Sequence, residues 1–469
     1  MRIRIERDGL GEMPVPQEAY YGIMTVRSQK AYDVGPRTLD DYPLLIKATA
    51  LIKIAAARAN CEVGALEPQY AKAIEEAAWE IVNGDFKGQF IVNIFRGAGT
   101  PVNMAVNEVI AHRANERLFG TKEGKIHKNT HVNMGQSTGD VSPTSRFIVV
   151  HDELDRVLCS LDQLIVATNE KAHQWAGVIK MGRTLAQDAL PVTLGMDFAT
   201  YASALRRVYL KMRAEQATWN RSVMGGTAIG TGMGAAPGYR RVITKHLSAV
   251  LGRPIQTESN LPDAMGATDD LYLAHSHLEC LALVLWRMAR DINFMASGPV
   301  NGLGELNLPD DCDNSENRIP VPEMIIQSCQ KVFSNRNVLL LASESGWLEM
   351  GPTSGLVFKS FIDSADMLDA TIKLFTEMVQ GLTANVEHCK AMTEKSTALA
   401  TMVSAFFGYE VGTKVAHLAI DENITCKEAT KKLGILPDDV IEEIFDPTNL
   451  VNAEKLEALS VKYRRYRHI

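Results

Sequence analysis

Apolar residues recur three and four positions apart over long stretches of this chain, and period-two alternation is scarce. Between Tyr42 and Glu62, the residues Leu44, Leu45, Ala48, Leu51, Ile52, Ala55 and Ala56 fall on one helical face, and 71–82 repeats the pattern. Longer amphipathic stretches without internal proline follow at 147–171, 197–218, 271–296, 324–343 and 360–392. Helices of such length are stabilised chiefly by packing apolar stripes on their neighbours, so the middle of the chain is predicted to be a long-helix bundle. The opening to about Asp40, rich in Gly, Pro and Tyr, reads as an irregular arm with a short strand near Ile3 to Arg7. After about Thr397 the segments become shorter and more charged. The expected division is an N-terminal domain 1–140, a central helical-bundle domain 141–395 and a small C-terminal domain 396–469.

Composition narrows the class. A chain of 469 residues exceeds what one core usually organises, and 46% hydrophobic with 22% charged residues is ordinary globular composition. The net charge of -7 is modest and the basic residues are scattered, which argues against a nucleic-acid-binding surface; the tail from Lys462 to His468 reads as a solvated end. Seven widely spaced cysteines without a CxxC pair give neither a disulfide framework nor a structural zinc site and fit a reducing cytosol. The N-terminus has no apolar signal region, and no segment approaches the roughly 18 uncharged apolar residues of a membrane span. A cytoplasmic protein is expected, with no membrane and no nucleic-acid partner.

Candidate chemistry lies in polar, mostly glycine-bearing connections: 96–103 (RGAGTPVN), 133–140 (NMGQSTGD), 182–188 (GRTLAQD) and 310–318 (DDCDNSENR). Small hydroxyl side chains beside Gly at helix starts suit a carboxylate, because terminal amides and hydroxyls can donate to one anion. Taken singly, Ser137-Thr138 or Thr184 reads equally well as a cap or turn. The glycine-rich stretch 225–232 lacks the GK[ST] and the preceding strand of a phosphate loop. No HExxH, GxSxG or paired metal-ligand spacing occurs, so no metal and no organic cofactor is expected.

Read in order, these segments resemble the aspartase/fumarase superfamily. The resemblance runs through Leu10-Gly11-Glu12, Ala19-Tyr20-Tyr21-Gly22, Gly99-Thr100 with Asn103-Met104, and His131-Val132-Asn133 with Gln136-Ser137-Thr138. It continues through Gly182-Arg183-Thr184 with Gln187-Asp188, the stretch Gly226 to Gly232, and Glu305-Leu306-Asn307-Leu308-Pro309. It implies an enzyme, a carbon–nitrogen lyase performing β-elimination on a small molecule. The implied architecture is a mainly α, three-domain subunit whose central helices form a twenty-helix core in a homotetramer with shared active sites. It also implies that Thr100, Asn103, Ser137, Thr138 and Thr184 bind the anionic end of the substrate, with Lys53 supplying positive charge.

The chain departs from the family in three places. Between Pro309 and Pro322 the signature loop is shorter and lacks MPxK; Ser315 stands in as candidate base and Arg318 as candidate carboxylate anchor. The family's amine-gripping Asn and His are replaced by Gly139 and Leu185. Glu323, the partner of that missing His, is left free for proton transfer. A pocket without those donors suits a trimethylammonium group, which has no N–H and prefers aromatic faces. Trp347, with Glu344 close before it in the chain, would then border the pocket, and that chemistry points to ergothionase, a branch of the superfamily that expels trimethylamine from ergothioneine to give thiourocanate. The alternatives are an aspartate ammonia-lyase or fumarase-like enzyme acting on a dicarboxylate with Ser315 as base, and an inactive structural homologue.

Overall fold

The computed structural model of the chain describes all residues except 1, 32–33, 95–98, 299, 310–319, 345, 350, 352–354 and 464–469. In chain order, β1 (Ile3–Asp8), β2 (Gly11–Pro16), α1 (Ile23–Ala31), α2 (Pro43–Glu62), α3 (Pro68–Asn83) and α4 (Thr100–Phe119) precede the longest helix, α5 (Thr138–Gln174). After it come β3 (Ile179–Thr184), β4 (Gln187–Thr193), α6 (Leu194–Thr218), α7 (Tyr239–Leu251), α8 (Leu261–Gly266) and α9 (Asp269–Met295). Then follow α10 (Val321–Ser343), α11 (Gly355–Gly381) and α12 (Val386–Lys395), with shorter helices from Ala400 to Lys462. The mainly helical class follows the apolar spacing.

Three boundaries differ from that spacing. The opening is an antiparallel hairpin, β1 on β2, followed by α1. Arg4, buried, holds it by donating to the carbonyls of Pro16 (2.8 Å), Ala19 (2.8 Å) and Tyr21 (2.9 Å), a side-chain anchor that periodicity does not reveal. The first long helix begins at Thr138 rather than 147 and passes through Pro143. The stretch 360–392 breaks at Gly381, where a Cβ would lie 2.4 Å from Pro309 Cγ. There Thr383–Ala384 pairs antiparallel with Leu306–Asn307, and Asn385 donates from Nδ2 to the Gly304 carbonyl (2.8 Å) before α12 starts.

Packing groups the chain into two compact units. The first takes Met1–Cys159, Leu210–Ala282 and Gln330–Asp369; the second takes Ser160–Tyr209, Leu283–Cys329 and Ala370–Ile469. The core of the first draws Ile52, Ala56 and Ala59 of α2, Ile74 and Ala77 of α3, Val106 and Ile110 of α4, and Ile243 and Leu247 of α7. In the second, Val403, Phe406, Phe407, Val415, Ile441 and Tyr463 cluster among the C-terminal helices, with Met181 of β3 added. Among the described residues no helix is long and apolar enough to cross a membrane.

Candidate active site

The polar segments of the first unit converge. Gly99 caps α4 in the left-handed region (φ 65°), and a Cβ there would lie 3.1 Å from Ser142 Oγ and 3.5 Å from Thr138 Cγ2. The N-terminus of α4, at the exposed Thr100, therefore starts against the first turns of α5. Two helix N-termini in contact concentrate unpaired N–H groups and positive dipole ends, a setting that favours an anion.

Ser137 caps α5 reciprocally. Its Oγ accepts from the Gly139 N–H (3.2 Å), while its own N–H donates to Asp140 Oδ1 (2.9 Å). Capping thus occupies the Ser137 oxygen as an acceptor and leaves its O–H able to donate. Behind this turn lies Lys53, fully buried on α2, whose Nζ donates to Asn133 Oδ1 (2.9 Å) and Gln136 Oε1 (2.8 Å). Asn103 Nδ2 reaches Asn133 Oδ1 (3.3 Å) and Thr138 Oγ1 (3.4 Å), and Asn107 Nδ2 reaches Asn133 Oδ1 (3.2 Å). Asn60 Oδ1, Asn103 Oδ1, Asn107 Oδ1, Thr227 Oγ1 and the Tyr239 hydroxyl are buried and meet no partner among the described residues. Unpaired buried polar atoms are costly, so their concentration here marks a place built to receive polar groups.

Burial sets the electrostatics. It pushes the Lys53 amine down to about 7, partly opposed by the Asp140 charge. It pushes the Asp140 carboxyl up to about 7, opposed by the amides that donate to it and by Lys53. One buried amine and one buried carboxyl group thus stand in a common low-dielectric setting.

In the second unit the candidates are presented singly. Thr184 ends β3 and pairs with Gln187 across a two-residue turn whose central residues, Leu185 (φ 51°) and Ala186 (φ 63°), are both left-handed. Leu185 is 98% exposed. The hairpin stands on an ion cluster around the buried Lys180 and Glu305: Arg183 Nη1 meets Glu305 Oε1 (2.8 Å), and Lys180 Nζ meets Glu305 Oε2 (3.4 Å) and Asp197 Oδ2 (3.0 Å). Glu323, in the first turn of α10, accepts from Asn293 Nδ2 (3.1 Å). Asn293 lines an open cleft of about 910 Å³ together with Ser297, Asn307, Asn385 and His388. Ser315 and Arg318 lie outside the described residues.

Sequence reasoning named Lys53, Asn103, Ser137 and Thr138, which meet in one network, and Thr100, which starts the helix beside it. It gives no role to Asp140, Asn133, Gln136 or Asn107, although the first three fall in its candidate segment 133–140. The signal for Asp140 was present: an acid three residues after Ser137, at a helix start, is the acidic form of a capping box.

The family model described as "Lyase" matches residues 11–313, and that described as "Fumarase C C-terminus" matches 399–452. An aspartate ammonia-lyase of Bacillus sp is 36% identical over 461 residues, covering 96% of this chain and 98% of that protein. A class II fumarate hydratase of Rickettsia bellii is 33% identical over 461 residues, covering 96% and 98%. The structure of a fumarate lyase:delta crystallin from Brucella melitensis superposes with a TM-score of 0.91 at 34% identity, covering 98% of this chain and 100% of that one.

These relatives overturn the expectation of a trimethylamine-expelling, ergothionase-like enzyme, since they carry the names of the dicarboxylate alternative over nearly the whole chain. The structure shows a packing cause for Gly139 and the surroundings of the other residues of that reading. Gly139 is a packing requirement: a Cβ would lie 2.2 Å from the Ala228 carbonyl oxygen and 2.9 Å from that of Thr227. Trp347, expected to border an amine pocket, is 84% exposed, and Glu344 is exposed at the end of α10.

Proposed function

Since this chain belongs to the aspartase/fumarase superfamily and is a carbon–nitrogen lyase, we propose that it eliminates ammonia from a four-carbon amino dicarboxylate, aspartate, to give fumarate. A base removes the Cβ proton, the resulting carbanion is stabilised by donors around its carboxylate, and the Cα–N bond breaks as ammonia leaves. Thr100, Asn103, Ser137, Thr138 and Thr184 donate to the substrate carboxylates, and Lys53 supplies positive charge and holds the loop that carries two of them. Ser315 is the proposed base, Arg318 the proposed carboxylate anchor, and Glu323 a proton-transfer group. The observation that carries this reading is the meeting of two helix N-termini, at Thr100 and Thr138, over a buried lysine, which makes an anion-receiving surface.

A second reading, hydration of fumarate, is favoured by the likeness to a class II fumarate hydratase, 33% identical over 461 residues. The same assay separates the two. Purified protein given L-aspartate should produce the ultraviolet absorbance of fumarate with equimolar ammonia; a hydratase makes fumarate from L-malate alone. Production of fumarate from neither substrate would sink both.

The assembly proposed is a cytoplasmic homotetramer with shared sites, each subunit divided into 1–140, 141–395 and 396–469. It is supported by large apolar side chains left exposed on the long helices: Val166, Leu210, Leu273, Leu283 and Leu341. Sedimentation should give four times 51.6 kDa, and a stable, active monomer would refute it.

A further inference from the structure

We propose that Asp140 is a positioning residue that locks the substrate-binding turn 137–139 to the glycine-rich loop 225–232, so that both face the substrate as one surface. In its kinetic part this rests on the elimination reading above.

The two carboxylate oxygens of Asp140 have different jobs. Oδ1 accepts from the Ser137 N–H and completes the cap of α5. Oδ2 accepts from the N–H groups of Thr227 (2.9 Å) and Gly225 (3.2 Å), on a segment far along the chain. An acid that served only as a cap would have no use for the second set. Asp140 is fully buried, and the donors it accepts from are backbone amides, which a side-chain substitution elsewhere cannot replace.

The loop it holds is strained. Thr227 is a β-branched residue in the left-handed region (φ 56°), a conformation that persists only when its surroundings impose it. Gly225 (φ 88°) is pressed against Arg240, whose Cα would lie 3.1 Å from an added Cβ. Gly139 supplies the close approach that brings the two segments into contact, with the Ala228 carbonyl where its Cβ would be. The charge on Asp140 faces the buried Lys53, which grips Asn133 and Gln136 of the same turn. A continuous chain of bonds thus runs from α2 through the turn 133–139 and Asp140 to Thr227, whose hydroxyl is one of the buried atoms without a partner among the described residues.

The test uses Asp140→Asn in the full-length protein. An amide offers one acceptor oxygen, and its NH2 must face N–H groups on one side or the other, so one of the two segments is released. In the absence of substrate, amide exchange at Gly225 and Thr227 should rise about a hundredfold while the global unfolding midpoint moves little. With L-aspartate, KM should rise about tenfold or more and kcat should fall less. Thr227→Gly added to Asp140→Asn should recover part of the KM, because glycine needs no carboxylate to hold its left-handed conformation. Should Asp140→Asn fail to fold, Gly139→Ala tests the same coupling by wedging the segments apart, and should give the same exchange signature. Unchanged exchange at 225 and 227, with only a lower melting temperature, would show Asp140 to be merely a helix cap and overturn the proposal. Inactivity of the wild type on dicarboxylates would instead remove the proposed reaction and leave the exchange result to decide on Asp140.

Discussion

The two units hold their candidate residues in opposite ways. In the first, Lys53, Asn103, Asn133 and Thr138 form a part-buried network in which side chains bind one another, the buried Asp140 holds backbone amides beside it, and several atoms meet no partner among the described residues. In the second, Thr184 sits at an exposed hairpin tip, and the charged groups lie along the hairpin as an ion cluster of the buried Lys180 and Glu305 with the half-buried Arg183 and Asp197. Charge in the first unit touches the candidate residues directly, whereas in the second it lies along the hairpin that presents the candidate Thr184. Substitutions in the two places should therefore be read by different measurements.

The largest effect is expected beneath the hairpin. Glu305→Ala leaves the buried Lys180 and the half-buried Arg183 short of their shared carboxylate, and removing one partner of a buried pair such as Lys180–Glu305 costs about 3 to 5 kcal/mol. Urea unfolding should report that loss, while enzyme kept folded at low temperature should retain most of its kcat. If instead kcat collapses with stability intact, Glu305 belongs to the chemistry and the contrast between the units fails.

Lys53→Met should behave in reverse. It leaves the acceptor oxygens of Asn133 and Gln136 facing an apolar side chain, and each charge-assisted bond lost is worth about 1.5 to 3 kcal/mol. A fall in kcat/KM on L-aspartate of about a hundredfold or more is expected in protein that still gives a native circular-dichroism spectrum. Retained activity would move Lys53 from the site to the scaffold.

The first unit also buries a polar group that stays uncharged. His275 Nε2 lies 2.9 Å from Ser364 Oγ, which already accepts from Asn335 Nδ2 (2.9 Å) and donates to the Ser360 carbonyl (2.8 Å), so Nε2 carries the proton and Nδ1 has no partner among the described residues. Burial pushes its pKa down to about 4. A base whose folded pKa is depressed stabilises the fold above its unfolded pKa of about 6.5, and that stability is lost as pH falls toward 4, roughly 3 kcal/mol in all. His275→Gln should flatten the slope of stability against pH between those values. A slope unchanged by the substitution would assign the acid limb to other groups.

The same contrast explains what the amino-acid sequence made legible. Long-helix positions such as Ile52, Leu278 and Ile372 announce themselves by spacing, because every turn repeats the same demand for burial. The break at Gly381 does not, since it depends on Pro309 and Asn385, which reach it from elsewhere in the chain or beyond the helix. Within the site, Ser137 and Thr138 were readable as local helix-start chemistry. The second set of bonds made by Asp140 was not, because the partners at 225 and 227 become neighbours only in the fold. Gly139 misled for the same reason: a residue absent for packing looked like a donor removed for specificity.

The smallest effect concerns the hairpin tip. Leu185 and Ala186 both occupy the left-handed region in a two-residue turn that ordinarily takes Asn and Gly. Ala186→Gly removes a Cβ from a conformation that disfavours it, and should stabilise the hairpin by about 1 kcal/mol, less the extra freedom glycine has when unfolded. If the tip carries strain because Thr184 must be aimed, relaxing the turn should raise the melting temperature slightly while KM for aspartate rises. A gain in stability with unchanged KM would mean that the strain is incidental to binding. A loss of stability would mean that the surroundings of the turn, rather than its backbone preference, set its conformation, and that the second unit packs its functional tip as tightly as the first packs Asp140.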